Sequence, residues 1–219
     1  IMRADGGCAD YSITRLPASP NLDVSRETQA RLTLIEDQLR RWQPRVNLIA
    51  PSTLSSVRER HIEDSLQLAF LEPAAKTWVD IGSGGGFPGL VIAAVRMSDP
   101  AFRMILVESN GKKCAFLRET ARMAGLPVEV RNGRIEDVLP TLGQAIEVVS
   151  ARALAPLGKL LGLAEPLLTA GAIGIFPKGQ DVDDEMRAAS ISWNLVADLI
   201  HSQTESGAAI VRVRSASRK

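Results

Sequence analysis

The sequence has few of the residues that build disulfide-bonded or metal-bound folds. It contains two cysteines, Cys8 and Cys114, and two histidines, His61 and His201, among 219 residues. Two cysteines cannot form the disulfide network of a small secreted domain, and so few cysteines and histidines offer no cluster of the zinc-binding type. We therefore predict a protein without a metal site, from a reducing compartment such as the cytoplasm.

Long hydrophobic runs are also missing. The most apolar stretch, residues 82–95, is rich in glycine and is interrupted by Pro88. It falls short of the roughly 20 apolar residues that a membrane-spanning helix needs. The first ten residues are polar and lack the apolar core that is typical of a secretory signal. The pattern predicts no association with a membrane.

Aromatic residues make up only 4% of the chain, and neither sign of charge dominates. The 26 basic and 25 acidic residues leave a net charge of +1, which argues against a protein that coats nucleic acid by charge alone. A local basic face is compatible with these numbers. The hydrophobic content of 45% and the charged content of 23% are ordinary for one main globular domain with a modest extension.

Two helical segments come before the first strand of the predicted sheet. Between residues 25 and 43, apolar residues recur every three or four positions, which places them on one stripe of a helix. A second helical segment begins after Ser52 and stops before Pro73. The sequence therefore predicts three parts: a flexible segment over residues 1–24, a helical extension over 25–73 and a main domain over 74–219.

From Thr77 onward, short β-rich runs alternate with helical segments. We predict strands over residues 77–81, 102–107, 128–131, 147–150, 172–176, 194–201 and 208–214. Strands that alternate with helices favour a parallel sheet covered on both faces. The last two strands are joined by a link too short for a crossover helix, so they should be antiparallel. This predicts an α/β fold with a mostly parallel, seven-stranded sheet and a terminal antiparallel hairpin, the methyltransferase-like variant of the doubly wound fold.

The densest chemical signal is a glycine-rich run, WVDIGSGGGFPG, at residues 78–89. A loop of this kind lets the backbone approach a ligand closely and directs free N–H groups at it. The next strand ends at Glu108, where a carboxylate can accept hydrogen bonds from the two hydroxyls of a ribose. Together these features predict a nucleoside-containing cofactor across the carboxyl ends of the first two strands of the sheet.

Two cofactors are compatible with the glycines alone. The spacing GxGxxG at residues 84–89, followed by Glu108 at about 20 residues, is that of a dinucleotide fold. The pattern D-x-G-x-G-x-G that begins at Asp80 is typical of S-adenosylmethionine loops. Asp80 favours the second, because its carboxylate suits an ammonium and a sulfonium but would repel a pyrophosphate. About 110 residues follow Glu108, too few for the separate substrate domain of a dehydrogenase.

Several further runs occur in the order and spacing of one protein family. They are DIGSGGGFPGL (80–90), VESNGKK (107–113), NGRIED (132–137), SARAL (150–154) and FPKG (176–179), preceded by Trp42, NLIA (47–50) and RHIEDSL (60–66). Over residues 32–213 the sequence resembles the bacterial small-subunit ribosomal RNA guanine-N7 methyltransferase family, RsmG, once called glucose-inhibited division protein B. Motifs in register are far more specific than a single glycine loop.

The resemblance implies a class I S-adenosylmethionine-dependent methyltransferase fold, which is Rossmann-like. It implies transfer of a methyl group from S-adenosyl-L-methionine to N7 of one guanine in 16S ribosomal RNA of the small ribosomal subunit, by a monomer. Gly82 and Phe87 would line the methionine end, Glu108 would hold the ribose, and Arg152 would lie beside the sulfonium. The predicted cofactor-binding set is Asp80, Gly82, Gly84, Gly86, Phe87, Glu108, Ser109, Asn110, Ile135, Glu136 and Arg152, of which Ile135 and Glu136 would flank the adenine.

RNA-binding side chains are less sharply marked, because a basic surface residue is usually only solvated. The predicted set is Arg60, His61, Lys112, Lys113, Lys178 and Arg212. Lys178 and the Arg60–His61 pair are favoured because the family carries them at matching positions, although His61 is equally compatible with packing in a helix. Guanine N7 is exposed on unpaired bases, so a single-stranded loop is the natural target.

The expected chemistry needs no proton transfer from the methyl acceptor. Guanine N7 has a lone pair and no proton, so no general base and no catalytic residue are predicted. Methylation at carbon 5 of cytosine would need a cysteine nucleophile, yet Cys114 lies in a predicted helix. Amino-group methylation usually brings an Asn-Pro-Pro-aromatic motif, where this sequence has residues 150–153 as SARA. A non-catalytic nucleotide-binding module and a nicotinamide-dependent oxidoreductase are the alternatives.

Overall fold

The computed structural model describes residues 11–16, 22–143 and 145–219, which build a mostly parallel sheet of eight strands with helices on both faces. In chain order the strands are β1 (Tyr11–Leu16), β2 (Thr77–Ile81), β3 (Arg103–Glu108), β4 (Val128–Asn132), β5 (Val148–Ser150), β6 (Ile173–Lys178), β7 (Trp193–His201) and β8 (Ala209–Arg218). Across the sheet their order is β1-β7-β8-β6-β5-β2-β3-β4.

The described residues also form seven α-helices. These are α1 (Arg26–Trp42), α2 (Asp64–Ala69), α3 (Gly89–Arg96), α4 (Gly111–Ala124), α5 (Ile135–Val138), α6 (Leu157–Thr169) and α7 (Val182–Ser190). Before α2 the chain forms a 3₁₀ helix at Pro51–Ser56 and a π-helix at Arg58–Glu63, and a second 3₁₀ turn follows α5 at Leu139–Thr141. The single helix predicted after Ser52 is therefore three short helices in succession.

The pairing of the strands confirms the predicted topology. β2 lies between β3 and β5, and all of these contacts are parallel. β4 and β6 extend the parallel part on either side. β8 is antiparallel to both β6 and β7, as the short link before it predicts. Because the central strands run in one direction, the loops after β2, β3 and β5 gather at one edge of the sheet.

The number of strands differs from the seven predicted. The eighth is β1, within the segment of residues 1–24 that is predicted to be flexible, and it pairs in parallel with β7 from Tyr11↔Leu195 to Leu16↔Ile200. The free edge of β7 offers unpaired N–H and C=O groups that a short segment can join. Such pairing depends on a partner far along the chain, so a local pattern does not reveal it. Residues 1–10 and 17–21 lie outside the described residues.

The helical extension shares a hydrophobic core with the sheet. Leu32, Ile35 and Leu39 of α1 are fully buried, in one cluster with Trp78 of β2 and Phe116 of α4. A second cluster fills the other face, where α6 and α7 cover the sheet. Burial of this apolar surface stabilises α1 far more than its intrinsic helix propensity does. The predicted boundary at residue 73 therefore divides the sequence but not the core.

Membrane spans and metal clusters were both predicted to be absent. Within the part of the chain that the structure describes, no helix is both long and apolar enough to cross a lipid bilayer. The same residues hold no group of three or more His, Cys, Asp or Glu side chains suited to a metal ion. Cys114 is a buried free thiol in α4, and Cys8 lies outside the described residues.

Candidate functional site

The glycine-rich loop after β2 adopts a conformation that only glycine takes easily. Gly82, Gly84 and Gly86 have φ values of +68°, +52° and +87°, in the left-handed region. A Cβ at Gly82 would lie 2.7 Å from the Leu154 side chain, so that side chain would have to shift to admit one. The loop is also tied to β3, because the N–H groups of Gly82 and Ser83 donate to the Val107 carbonyl at 2.8 and 3.1 Å.

Glu108, the last residue of β3, spans the gap between the loop and the start of α4. Its Oε2 accepts a hydrogen bond from the Gly84 N–H at 2.9 Å, and its Oε1 accepts one from the Asn110 N–H at 2.8 Å. The residue is 8% exposed. Two backbone donors therefore orient this carboxylate at the edge of the sheet, where the ribose of a nucleoside is expected.

A cavity of about 610 Å³ lies over the carboxyl ends of β2 and β3. This volume is within the range of roughly 300–1,000 Å³ that is typical of small-molecule sites. Leu48, Ile49 and Ala50 of the helical extension form part of its wall. Eight of the predicted cofactor-binding residues line it, namely Gly82, Gly84, Phe87, Glu108, Ser109, Ile135, Glu136 and Arg152.

The lining suits the parts of S-adenosylmethionine. Carboxylates of Glu108 and Glu136 can accept from hydroxyls or amines, and Ile135 provides an apolar surface for a flat base. The backbone of the loop approaches the helical extension closely, since a Cβ at Gly85 would lie 3.0 Å from the Leu48 carbonyl oxygen. A side chain at this position would therefore narrow the cavity between the loop and the extension.

Three predicted cofactor-binding residues, Asp80, Gly86 and Asn110, are not among the residues that line this cavity, and their contact with the cofactor stays a prediction. Asp80 is 1% exposed beneath the loop. Gly86 packs against Leu90, where a Cβ would approach to 2.3 Å. The side chain of Asn110 caps α4 by accepting from the Lys112 and Lys113 N–H groups at 2.9 and 3.2 Å.

The carboxyl group of Asp80 is only partly satisfied. Its Oδ1 accepts a hydrogen bond from the Ser150 hydroxyl at 2.8 Å, whereas its Oδ2 has no hydrogen-bond partner among the described residues. Burial raises the pKa of Asp80 to about 6, against weaker opposing effects of the Ser150 and Ser83 side chains, the Gly89 backbone and the charge of Arg152. A buried, incompletely paired acid thus lies directly under the glycine loop.

Arg152 and His61, predicted for different ligands, contact each other. The Arg152 Nη1 donates to the Arg60 carbonyl at 2.9 Å and to Asp64 Oδ2 at 3.1 Å, and its Nη2 contacts His61 Nδ1. The guanidinium lies 5.5 Å from the centre of the Phe87 ring, and the His61 ring stacks on Phe87 with centroids 5.1 Å apart. These side chains form one packed cluster at the cavity mouth.

The hydrogen bonds of His61 define its tautomer. Burial, together with the charges of Arg152 and Arg60, lowers the pKa of His61 to about 4, so the ring is neutral at pH 7. A guanidinium has only donors, so Nδ1 accepts and the proton lies on Nε2. Nε2 then donates to the Thr53 hydroxyl at 2.8 Å. His61 is not a cation available to RNA, and the geometry favours the alternative of a packed histidine.

A second cavity, of about 470 Å³, adjoins the first. The two share Thr53, His61 and residues 152–155 as a common wall. Arg60 and Lys178, both predicted to bind RNA, line the second cavity. Lys178 is the last residue of β6, and its ammonium donates to the Ala155 carbonyl and pairs with Glu185, each at 2.7 Å.

The remaining predicted RNA-binding residues are separated by the fold. Lys113 lines the first cavity, and Lys112 is exposed beside it on α4. Arg212 lies outside both cavities, where it donates to Glu72 at 2.6 Å and lies 3.6 Å from Asp198. These two carboxylates disfavour the predicted contact of Arg212 with RNA, because they already neutralise its charge.

Several residues of the site were not predicted. Thr53 and the link between β7 and β8 reach the cavities only through folding. Leu154 is within the SARAL run, Asp64 within RHIEDSL and Ile49 within NLIA, so the family motifs did carry a signal for them. Helical periodicity alone gave none, since polar residues of a helix are usually solvated.

Solved methyltransferases share this fold. An O-methyltransferase from Bacillus cereus in complex with SAH matches with a TM-score of 0.59 at 18% identity, over 84% of this chain and 91% of that one. An SAH-bound methyltransferase of Podospora anserina matches with a TM-score of 0.59 at 14% identity, over 90% and 99%. The strand order, the antiparallel hairpin and the cavity over the glycine loop define a class I S-adenosylmethionine-dependent methyltransferase fold.

The sequence comparisons identify the family within this class. The family described as GidB, rRNA small subunit methyltransferase G, matches residues 28–209. A Ribosomal RNA small subunit methyltransferase G of Methylorubrum extorquens (strain PA1) is 54% identical over 195 residues, 89% of this chain and 92% of its own length. The protein of that name from Bradyrhizobium diazoefficiens is 47% identical over 98% of this chain. The chain belongs to this family, which confirms the resemblance and disfavours both alternatives.

Proposed function

We propose that the chain transfers a methyl group from S-adenosylmethionine to N7 of one guanine in 16S ribosomal RNA of the small ribosomal subunit. The observation that carries this proposal is the cavity between the glycine loop and Glu108, in a chain with 54% identity to a protein named for methylation of small-subunit RNA. We further propose that it acts as a monomer in the cytoplasm, where its RNA substrate is made.

The cofactor would be held by the residues around the first cavity. When bound, S-adenosylmethionine supplies an electrophilic methyl group on a sulfonium. Glu108, already oriented by two backbone N–H groups, would accept from the ribose hydroxyls. Ile135 would pack on the adenine, and the backbone at Gly82 would face the methionine end. The charge of Asp80 beneath the loop favours a cationic ligand over an anionic one.

The wall shared by the two cavities suits a methyl acceptor that has no proton to lose. His61 is neutral, but the lone pair on its Nδ1 already accepts a hydrogen bond from Arg152 and is not available to take up a proton. Arg152 is held by Asp64 and the Arg60 carbonyl, so it can orient a ligand but not accept a proton. Guanine N7 needs no proton acceptor, neither His61 nor Arg152. Rate enhancement would come from placing N7 in line with the methyl carbon and from the field of the site.

RNA would reach this wall over a locally basic rim. Lys112, Lys113 and Arg134 lie in or beside the first cavity and form no ion pair within the described residues. Unpaired cations of this kind attract phosphates, whereas paired ones do so weakly. The rim thus provides a local positive surface for RNA phosphates, although the net charge of the whole chain is only +1.

The decisive experiment maps N7-methylguanosine in 16S RNA. We expect one methylated guanine in cells with the intact gene, none in a deletion strain, and recovery with the native gene but not with Glu108→Ala. Transfer of labelled methyl by the purified protein should then be compared on naked 16S RNA and on small subunits from the deletion strain. Unchanged methylation in the deletion strain would contradict the proposal.

A further inference from the structure

The second cavity has an unusual balance of charge for a site near RNA phosphates. Its lining includes four carboxylates and three basic side chains, which are Glu59, Asp64, Glu185, Glu205, Arg60, Arg152 and Lys178. With more carboxylates than cations, the lining as a whole does not favour phosphates. The carboxylates instead suit a ligand that presents N–H donors, and the edge of a nucleobase is such a ligand. The cavity also opens on the wall it shares with the cofactor cavity.

Guanine is the base whose donors match a carboxylate. Its Watson–Crick edge presents N1–H and the N2 amino group side by side, so one carboxylate can accept from both. Adenine presents an unprotonated N1 at the same place, and its lone pair would face the carboxylate. Enzymes that act on extruded bases commonly recognise them by this edge. A guanine held by N1 and N2 directs N7, on the opposite side of the base, away from the carboxylate.

Two of the four carboxylates already accept hydrogen bonds within the protein. Asp64 accepts from Thr204 and Gln67 on Oδ1 and from Arg152 on Oδ2. Glu185 accepts on Oε2 from both the Leu157 N–H at 2.6 Å and the Lys178 ammonium at 2.7 Å. A base at Asp64 would have to displace part-buried hydrogen bonds, and a base at Glu185 would compete with an ammonium that already neutralises the carboxylate.

Glu205 is different. Its carboxylate has one ion pair, with Arg60 Nη1 at 3.3 Å, and the two side chains are 38% and 52% exposed. Exposed ion pairs of this kind contribute little, so exchanging the pair for a base is inexpensive. Arg60 would then be free for the phosphate of the same nucleotide. Glu59 is exposed on the π-helix and makes no ion pair within the described residues, but no contact fixes its orientation toward the cavity.

The link between β7 and β8 holds Glu205 in place. Gln67, which is 2% exposed, donates to the Ser202 and Thr204 hydroxyls at 3.4 and 3.2 Å and accepts from the Gln203 N–H at 2.7 Å. The Glu205 N–H in turn donates to the Ser202 hydroxyl at 3.3 Å. These hydrogen bonds fix the backbone from which the Glu205 side chain extends, and a fixed backbone lowers the cost of ordering that side chain on a ligand.

We infer that Glu205 determines the specificity for guanine: its carboxylate accepts hydrogen bonds from N1–H and the N2 amino group of the target base in the second cavity. The base then presents N7 to the wall shared with the cofactor cavity. This inference rests on the proposed function and adds the residue that distinguishes guanine from other bases. The contact favours guanine directly, in addition to any exclusion of other bases by the shape of the cavity.

The test combines a protein variant with a change of one group in the RNA. Inosine keeps N7, O6 and N1–H of guanosine but lacks the N2 amino group. We expect the native enzyme to methylate RNA with inosine at the target about tenfold or more slowly in kcat/KM. Glu205→Gln should be slower on guanosine by a similar factor. Its rates on guanosine and inosine should agree within about threefold, because a variant that already lacks the contact with the N2 amino group loses nothing more when that group is removed.

Glu165→Gln is the matched control. Glu165 pairs with Arg218, and the side chains are 33% and 62% exposed, close to the values for Glu205 and Arg60. It lines neither cavity. This control should keep both the native rate and the native preference against inosine. Equal affinity of all variants for S-adenosylmethionine, together with equal thermal unfolding, would show that the cofactor site and fold are intact.

The outcomes separate this inference from the proposed function. Equal native rates on guanosine and inosine would overturn the inference without any variant. A Glu205→Gln enzyme that keeps the full preference against inosine would also overturn it, whether its overall rate falls or not. If the native protein transfers no methyl group to 16S RNA or small subunits, the proposed function itself fails. Glu205→Asp gives a second variant should Glu205→Gln unfold, and it too should lose the preference.

Discussion

At the scale of single residues, Asp80 is a buried charge that the fold alone does not explain. Burial raises its pKa from 3.8 to about 6, and this change corresponds to roughly 3 kcal/mol. Because the folded protein binds this proton more tightly than the unfolded chain, the contribution to stability is present below pH 3.8 and is lost as the pH rises through 6. At neutral pH the charge therefore opposes folding. Attraction for a cationic cofactor gives it a function.

Asp80→Asn tests this balance. We expect the free energy of unfolding at pH 8 to stay equal or to rise by up to about 3 kcal/mol, because a buried charge is removed. Affinity for S-adenosylmethionine should fall about tenfold, and affinity for S-adenosylhomocysteine should fall less, because only the former carries a sulfonium. Urea unfolding and calorimetric titration measure these effects. Equal losses for both ligands would contradict a role for the charge.

Asp198→Asn provides the comparison. Asp198 is also buried, but it pairs with Arg212 and Arg214 away from the cavities. Removing its charge should lower stability, since both arginines lose a partner, and should leave the affinity for S-adenosylmethionine unchanged.

For His61 we predict the opposite dependence of stability on pH. Its pKa is lowered from 6.5 to about 4, so its contribution to stability is complete above pH 6.5 and is lost as the pH falls through 4. Between pH 7 and 5 this loss amounts to at most about 2 kcal/mol. His61→Gln keeps an acceptor for Arg152 but does not titrate, so its urea unfolding should depend less on pH than that of the native protein. Asp80, which titrates in both proteins, cancels in this comparison. An identical pH dependence would show that His61 is accessible to protons in the fold.

At the scale of elements, local sequence signals were sufficient to predict a helix or loop where they also marked its first and last residues. Helix α4 has both of its ends marked locally, because Asn110 caps its start and Gly125, with a φ of +65°, ends it. The glycine loop was likewise predictable, since positive φ values demand glycine. By contrast, the short helices before α2 and strand β1 depend on contacts with distant parts of the chain. The boundaries of these helices were therefore predicted poorly, and β1 was not predicted at all.

The shared core predicts how α1 unfolds. Ile35 is fully buried against the cluster that includes Trp78 and Phe116. Ile35→Ala should lower the free energy of unfolding by about 2–5 kcal/mol, and the loss should appear in a single transition followed by far-ultraviolet circular dichroism and tryptophan fluorescence. Asp37→Ala, on the exposed side of the same helix, should change stability by less than about 0.5 kcal/mol. Two separate transitions would mean that the extension folds as its own domain.

At the scale of the whole molecule, a net charge of +1 conceals an uneven distribution. Arg212, Arg214 and Arg218 are all ion-paired on β8. Lys112 and Lys113 at the start of α4 form no ion pair within the described residues. Composition counts these groups equally, whereas the fold makes the second set far more available to phosphates.

The salt dependence of RNA binding distinguishes the two sets. Lys112→Ala should weaken binding and reduce the slope of log K against log salt by about 0.7–0.9, the value for one phosphate contact. Arg212→Ala should leave the slope unchanged and reduce stability instead, because Glu72 loses its partner and Asp198 keeps only Arg214. Filter binding to a 16S RNA fragment at several salt concentrations measures the slope. The same reduction for both variants would contradict the distribution described above.

The sequence by itself determined the α/β class, the antiparallel hairpin, the glycine loop with Glu108, and the family. These features depend on residues close together in the chain, where turn chemistry and hydrophobic periodicity act directly. The tertiary structure alone decided that Asp80 supports the loop from beneath, that Arg152 and His61 form one cluster, that Arg212 is neutralised, and that Glu205 faces a second cavity. Such facts depend on which distant side chains meet, and burial and pairing at those contacts decide which charges are left for a ligand.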